Sequence, residues 1–174
     1  MFNWIKKIFK SRQEITMIAA IQNDRGIGYQ GELIHSIKND MKHFVTKTNS
    51  HTVIMGRKNW ESIPEKYRPM KNRQNIIITR DTSYHAAGAT IVNSIEKAIK
   101  KSTEKKIYII GGGQIYTLGM KYANTLDLTL INTHKSADVF FPKFDHFFNM
   151  HEESESIHDE KTNLNYKFQI WKRK

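Results

Sequence analysis

Ile107-Tyr108-Ile109-Ile110-Gly111-Gly112-Gly113-Gln114-Ile115-Tyr116 is the stretch that decides the fold. Its first four residues form an apolar, isoleucine-rich run, too short for a helix and suited to a buried strand. Three glycines break that run, and Gln114–Met120 then reads as a helix. A strand passing through glycines into a helix is the repeating unit of a parallel α/β sheet. It also suits a phosphate: glycine lets the backbone approach closely, and the first helical turn offers free N–H groups and a partial positive charge. The spacing matches neither G-x-G-x-x-G nor the Walker pattern, so alone the triplet reads equally well as a tight turn.

Outward from this stretch, strand and helix patterns alternate. Thr16–Ile21, Thr52–Met55, Asn75–Thr79 and Thr90–Val92 read as strands. Ile37–Asn49 carries Ile37, Met41, Phe44, Val45 and Thr48 at helical spacing. A short helix is expected around Lys58–Ser62, and Ser94 can cap another that buries Ile95, Ala98 and Ile99. Downstream, Leu126, Leu128 and Leu130 alternate with Asp127 and Thr129. Tyr166, Phe168 and Ile170 alternate in the last strand, expected to pair with His151–Ser156 as a hairpin. The order predicts an α/β fold: a mainly parallel sheet with helices on both faces and an antiparallel C-terminal edge.

The chain has 174 residues, enough for one well-cored domain, and 39% of them are hydrophobic, enough to build that core. It has no cysteine, which excludes disulfides, thiolate catalysis and Cys-ligated zinc and permits a reducing cytoplasm, the expected location. No apolar run approaches the roughly 20 residues that span a bilayer. Lys and Arg outnumber Asp and Glu by 28 to 17, and a net charge of +11 draws anions. Nucleic acid, a phosphorylated cofactor and an acidic small substrate all answer to that charge. The eight histidines show no metal-binding spacing, so no metal is expected. Residues 1–14 stand apart as a basic extension before a domain over 15–174. Phe2, Ile5, Ile8 and Phe9 fall near helical spacing among Lys6, Lys7, Lys10 and Arg12, which suits a solvated terminus or, as the alternative, a membrane surface.

A second strand-to-helix turn, Met55-Gly56-Arg57-Lys58-Asn59-Trp60, places two cations beside a helix start, and Arg80 ends the next strand. Two such turns on one sheet suit a dinucleotide with separated phosphates; ordinary turns on a basic surface are the plainer reading. Asp40 is the most informative acid. In the first turn of its helix an aspartate ordinarily serves the helix dipole. It also shares an apolar face with Ile37, Met41 and Phe44, where a carboxylate needs a raised pKa or a cationic partner such as a protonated heterocycle.

These segments together resemble dihydrofolate reductase. The resemblance rests on Ile18-Ala19-Ala20, Asp24-Arg25-Gly26-Ile27-Gly28, the Asp40–Phe44 helix, Val53-Ile54-Met55-Gly56-Arg57-Lys58-Asn59-Trp60-Glu61-Ser62-Ile63, Arg73-Gln74-Asn75-Ile76-Ile77-Ile78, Ile109 to Tyr116, Leu128-Thr129-Leu130-Ile131 and Phe140-Phe141-Pro142, in that order. It implies an eight-stranded, mainly parallel central sheet with four flanking helices. It also implies a monomer that transfers hydride from NADPH to 7,8-dihydrofolate. By the resemblance, Asp40 holds the pterin 2-amino group and N3 and favours protonation at N5, and Thr129 hydrogen-bonds that acid. Ile18, Ala20, Met41, Phe44, Ile63 and Ile110 correspond to pocket walls, with Tyr116 beside them. Arg73 looks like the arginine that takes the substrate's α-carboxylate.

For the cofactor, the resemblance implies that Gly111, Gly112 and Gly113 approach the pyrophosphate, with a cis peptide at Gly111-Gly112. Arg57, Lys58 and Arg80 would meet the 2′-phosphate. Ala20, Ile27, Gly28, Gly56, Asn59, Thr79, Ile110, Gln114, Ile115 and Tyr116 complete the implied contacts. Asn59 stands where the family usually has Thr. Ile34-His35 replaces the family's usual Pro-Trp, and Lys38 a downstream Pro. His35 can supply a polar contact or fill space, and the exchange predicts a shifted pH optimum or weaker binding of diaminopyrimidine antifolates. Two alternatives stand beside this reading. The riboflavin-pathway pyrimidine reductase shares the fold and uses NADPH, but Asp40 and Arg73 favour folate. A basic nucleic-acid-binding module would explain the charge, but no recognised nucleic-acid signature is present.

Overall fold

A computed structural model describes residues 13–174; all but the last two residues of the basic extension lie outside the described residues. The chain runs β1 (Glu14–Gln22), β2 (Gly26–Tyr29), β3 (Glu32–Leu33), α1 (Lys38–Thr48), β4 (Thr52–Gly56), α2 (Arg57–Ser62), β5 (Gln74–Ile78), β6 (Ala89–Val92), α3 (Ile95–Lys101), β7 (Lys106–Ile109), α4 (Gly113–Gly119), β8 (Thr125–Ile131), β9 (Val139–Phe140), β10 (Phe148–Glu153), β11 (Ile157–Asp159) and β12 (Leu164–Arg173). Eight strands order as β10-β12-β8-β1-β7-β4-β5-β6. From β8 to β6 every pairing is parallel, while β12 runs antiparallel to β8 and β10. The expected sheet, its antiparallel edge and its four helices are present.

Two local expectations need correction, and one feature was not foreseen. β1 starts at Glu14, two residues early, because Glu14 pairs in register with Lys106 and its carboxylate lies 3.1 Å from Lys105 Nζ. The hairpin partner is Phe148–Glu153 rather than His151–Ser156. A bulge between Met150 and Glu152 breaks the alternation there, and β11 takes the other half of the long β12. A small second sheet, β3-β2-β9, joins Gly26 to Phe140 across the chain. Two-residue strands with distant partners leave no periodic trace.

Both faces of the main sheet are covered, which is why its central strands read as near-continuous apolar runs. On one face Met17, Ile54, Ile107, Ile109, Leu126 and Leu128 pack with Ile95 and Ala98 of α3 and Ile115 and Tyr116 of α4. On the other, Ile18, Val53, Met55 and Tyr108 pack with Trp60 of α2 and Phe44 of α1. Helix α1 contributes less apolar surface than its pattern suggests: Met41 and Val45 are 50% and 48% exposed. Toward the sheet α1 directs polar groups instead, and this places the site.

Candidate active site

The two glycine turns lie side by side. β4 and β7 are neighbours, with Ile54 opposite Ile109, and Gly56 N–H donates to the Gly111 carbonyl at 2.8 Å. Both turns leave the carboxyl ends of parallel strands, where open α/β sheets bind ligands. The Gly111-Gly112 peptide is cis, as the resemblance implies. The glycines are required for different reasons. Gly111 adopts φ +108°, with the Tyr116 ring 3.1 Å from where a Cβ would stand. A Cβ on Gly112 would meet nothing within 4 Å, so this residue presents open backbone. A Cβ on Gly113 would come within 2.8 Å of Val139 Cγ1, so this glycine admits β9. That contact brings the β2–β9 ribbon, carrying Ile27 and Gly28, against the start of α4.

Cations gather at the same end of the sheet. Arg57 opens α2, 3.7 Å from Glu61 and 5.7 Å from the Tyr84 ring centre, while Lys58 and Arg80 are exposed. Gln114 is exposed, and Ile115 is buried against Gly56. Two implied cofactor contacts have protein partners of their own. Asn59 Nδ2 donates to the Ile110 carbonyl at 2.9 Å, bracing α2 against β7, and Thr79 Oγ1 accepts from Asp81 N–H at 3.1 Å.

Asp40 sits in the first turn of α1 and faces β8. Loss of solvent pushes its carboxyl above the usual range; hydrogen bonding from Thr129 and the nearness of His43 pull it back, and Asp127 pushes it up again. Thr129 is buried on β8, and Ala20 of β1 lies opposite it in register. Ile18, Phe44, Ile63 and Ile110 form one apolar cluster, while Met41 stays outside the buried clusters. Tyr116 is behind these walls: its hydroxyl donates to the Ile18 carbonyl at 2.7 Å, and burial with the Asp40 charge pushes the phenol up. Arg73 braces the end of α1, donating to Thr48 Oγ1 at 2.8 Å, the Val45 carbonyl at 2.9 Å and the Lys71 carbonyl at 2.7 Å. Its five-donor fork retains capacity beyond these three.

His35 makes a polar contact. Lys135 N–H donates to Gln22 Oε1 at 3.0 Å and Gln22 Nε2 donates to the Lys135 carbonyl at 2.7 Å, which fixes the amide orientation. His35 Nε2, 3.1 Å from the same Oε1, therefore carries the hydrogen. Burial and Lys135 draw the pKa of His35 down. Gln22 and the pair His43–Asp127 are residues that sequence reasoning missed. The available signal was Asp127 itself: it alternates with leucines on a strand whose two faces are both covered, so its carboxylate had to be inside.

A parallel sheet with paired glycine turns, cations at the same end and a partly buried carboxylate on an adjoining helix defines an open α/β protein with a site suited to a nucleotide. The family model described as dihydrofolate reductase matches residues 14–173. The dihydrofolate reductase of Staphylococcus haemolyticus is 34% identical, covering 92% of this chain and 96% of its own. That of Bacillus subtilis (strain 168) is 33% identical over 92% and 95%, and that of Neisseria gonorrhoeae 39% identical over 76% and 81%. The chain belongs to the dihydrofolate reductase family, whose members reduce dihydrofolate with NADPH.

Proposed function

We propose that Asp40 is the acid that prepares the pterin in the reaction of this family, reduction of 7,8-dihydrofolate to 5,6,7,8-tetrahydrofolate. The observation that supports this most is the partly buried Asp40 carboxyl in the first turn of α1, with Thr129 of β8 and the Tyr116 phenol of the glycine-turn helix as its neighbours. A carboxylate there lacks water and gains from a paired N–H donor, which the 2-amino group and N3 of a pterin supply. Its negative charge in turn favours a proton on the ring at N5, delivered by water. Ile18, Ala20, Phe44, Ile63 and Ile110 keep the ring in apolar surroundings, with Met41 at the open edge. Arg73, already held by α1, has a fork suited to the substrate's α-carboxylate.

The residues present fit NADPH: Gly112 has open space where a side chain would stand, and Arg57, Lys58 and Arg80 supply charge for a 2′-phosphate. NADPH supplies the hydride when bound. A cytoplasmic monomer needing neither metal nor nucleic acid belongs to the same reading. The test is loss of 340 nm absorbance with NADPH and dihydrofolate, comparing the wild type with Asp40→Asn. The variant should fold and bind NADPH but lose most activity near neutral pH, because an amide cannot stabilise a protonated pterin. Full activity in the variant would remove the assignment.

A further inference from the structure

Asp127 is a buried carboxylate that the reading above does not use. It is 3% exposed in the middle of β8, between β1 and β12. Among the described residues its side chain has one hydrogen bond, to His43 Nε2 at 2.8 Å. The His43 ring is fixed from its other side: it stacks on Phe168 at 4.3 Å between centres and 22° between planes. Phe168 in turn lies opposite Thr129 in register.

Two spacings bring this pair beside the acid. Asp40 and His43 are three residues apart and share a face of α1. Asp127 and Thr129 are two apart and share a face of β8. The result is two polar rungs in a row between helix and sheet, Asp40 with Thr129 and His43 with Asp127. The pair acts on the acid in both senses, since His43 pulls the Asp40 carboxyl down and Asp127 pushes it up. The other ionisable groups packed here are phenols: Tyr108 of β7, pushed up by burial and by Asp127; Tyr116 of α4; and Tyr166 of β12, whose hydroxyl accepts from Asn39 Nδ2 at 2.7 Å. Lys42 and Lys47 of α1 are exposed. His43 is thus the group that answers the second carboxylate.

We propose that His43 is a positioning residue for the reaction: its N–H satisfies the Asp127 carboxylate, so that Asp40 alone remains to meet the substrate. This rests on the assignment of Asp40. Without the His43 donor, two carboxylates share one desolvated space and hold a proton between them to higher pH. A proton held there cancels the charge with which Asp40 favours protonation at N5, so the alkaline decline of the reaction moves downward.

The experiment is the pH profile of the hydride-transfer rate, measured in a single turnover with NADPH and dihydrofolate. His43→Phe keeps a ring on Phe168 and removes the N–H. Its alkaline limb should move down by about one pH unit, the low end of what losing a nearby opposite charge does to a protonated ring. The double variant His43→Phe/Asp127→Asn lacks the second carboxylate and should return the limb to its wild-type position. A purely structural role would leave the double variant no better than the single one. An unshifted limb in His43→Phe overturns the proposal, as does a double variant displaced as far as the single. If His43→Phe fails to fold, as an unpaired buried charge can cause, the double variant decides alone: a wild-type limb supports the proposal and a displaced limb ends it. Asp40→Asn is run in parallel. If it keeps full activity, the assignment of Asp40 fails; if it loses activity while His43→Phe is unshifted, only the role of His43 fails.

Discussion

Replacing Asp40 by Asn should stabilise the protein while it removes the activity. The structure holds this carboxyl where lost solvation raises its pKa against the opposing pull of Thr129 and His43. A carboxyl whose folded pKa lies above its unfolded one binds its proton more tightly in the folded chain. Below the ordinary aspartate value of 3.8 there is no penalty. Stability is lost as the pH rises through the folded pKa, and above it the penalty is complete and constant. Asn keeps the shape, carries no charge and still has a hydrogen-bonding group for Thr129. Relieving such a functional site typically gains about 0.5–2 kcal/mol. At about 2–4 °C per kcal/mol for a domain of this size, the melting temperature at pH 8 should rise by about 1–8 °C. Thermal unfolding followed by circular dichroism measures this at pH 8 and at successively lower pH while the fold survives. The gap between variant and wild type should narrow on acidification. An equal melting temperature at pH 8, or a gap that widens as the pH falls, would refute the reasoning.

Two further tests separate structural from ligand-facing residues. Gly113→Ala drives a methyl against Val139 at 2.8 Å and should cost about 1–3 kcal/mol of stability, whereas Gly112→Ala meets nothing within 4 Å and should leave the melting temperature unchanged while weakening NADPH binding by fluorescence titration. Gln22→Leu leaves His35 Nε2 and both backbone groups of Lys135 without their partner; a loss of about 1–3 kcal/mol in urea unfolding is expected, and an unchanged midpoint would show that water replaces the amide.

Much of the fold is legible from the chain, for reasons visible in particular elements. Ile107–Gln114 announces a buried strand, a glycine turn and a helix because each is a local pattern with its own period. Thr52–Lys58 repeats the message, and the tyrosine and phenylalanine alternation in β12 marks the antiparallel edge. The edges of elements were less legible. The β10 bulge hides the register of the hairpin, and the β2–β9 pairing joins segments more than a hundred residues apart. On α1 the apolar spacing pointed to Met41 and Val45 as core, yet both are half exposed, because the sheet presents Asp127 and Thr129 where the helix lands.

By itself the sequence determined the order of elements, the two glycine turns, the cations beside them and Asp40 as the acid to watch. Tertiary structure alone decided what surrounds that acid. His43 and Asp127 are 84 residues apart in the chain and meet at 2.8 Å. Gln22 and Lys135, which orient His35, are 113 apart. Period and propensity act between neighbours along the chain. The charge a carboxyl carries depends on what solvent it has lost and which groups stand across from it, and those are settled only when distant strands and helices pack.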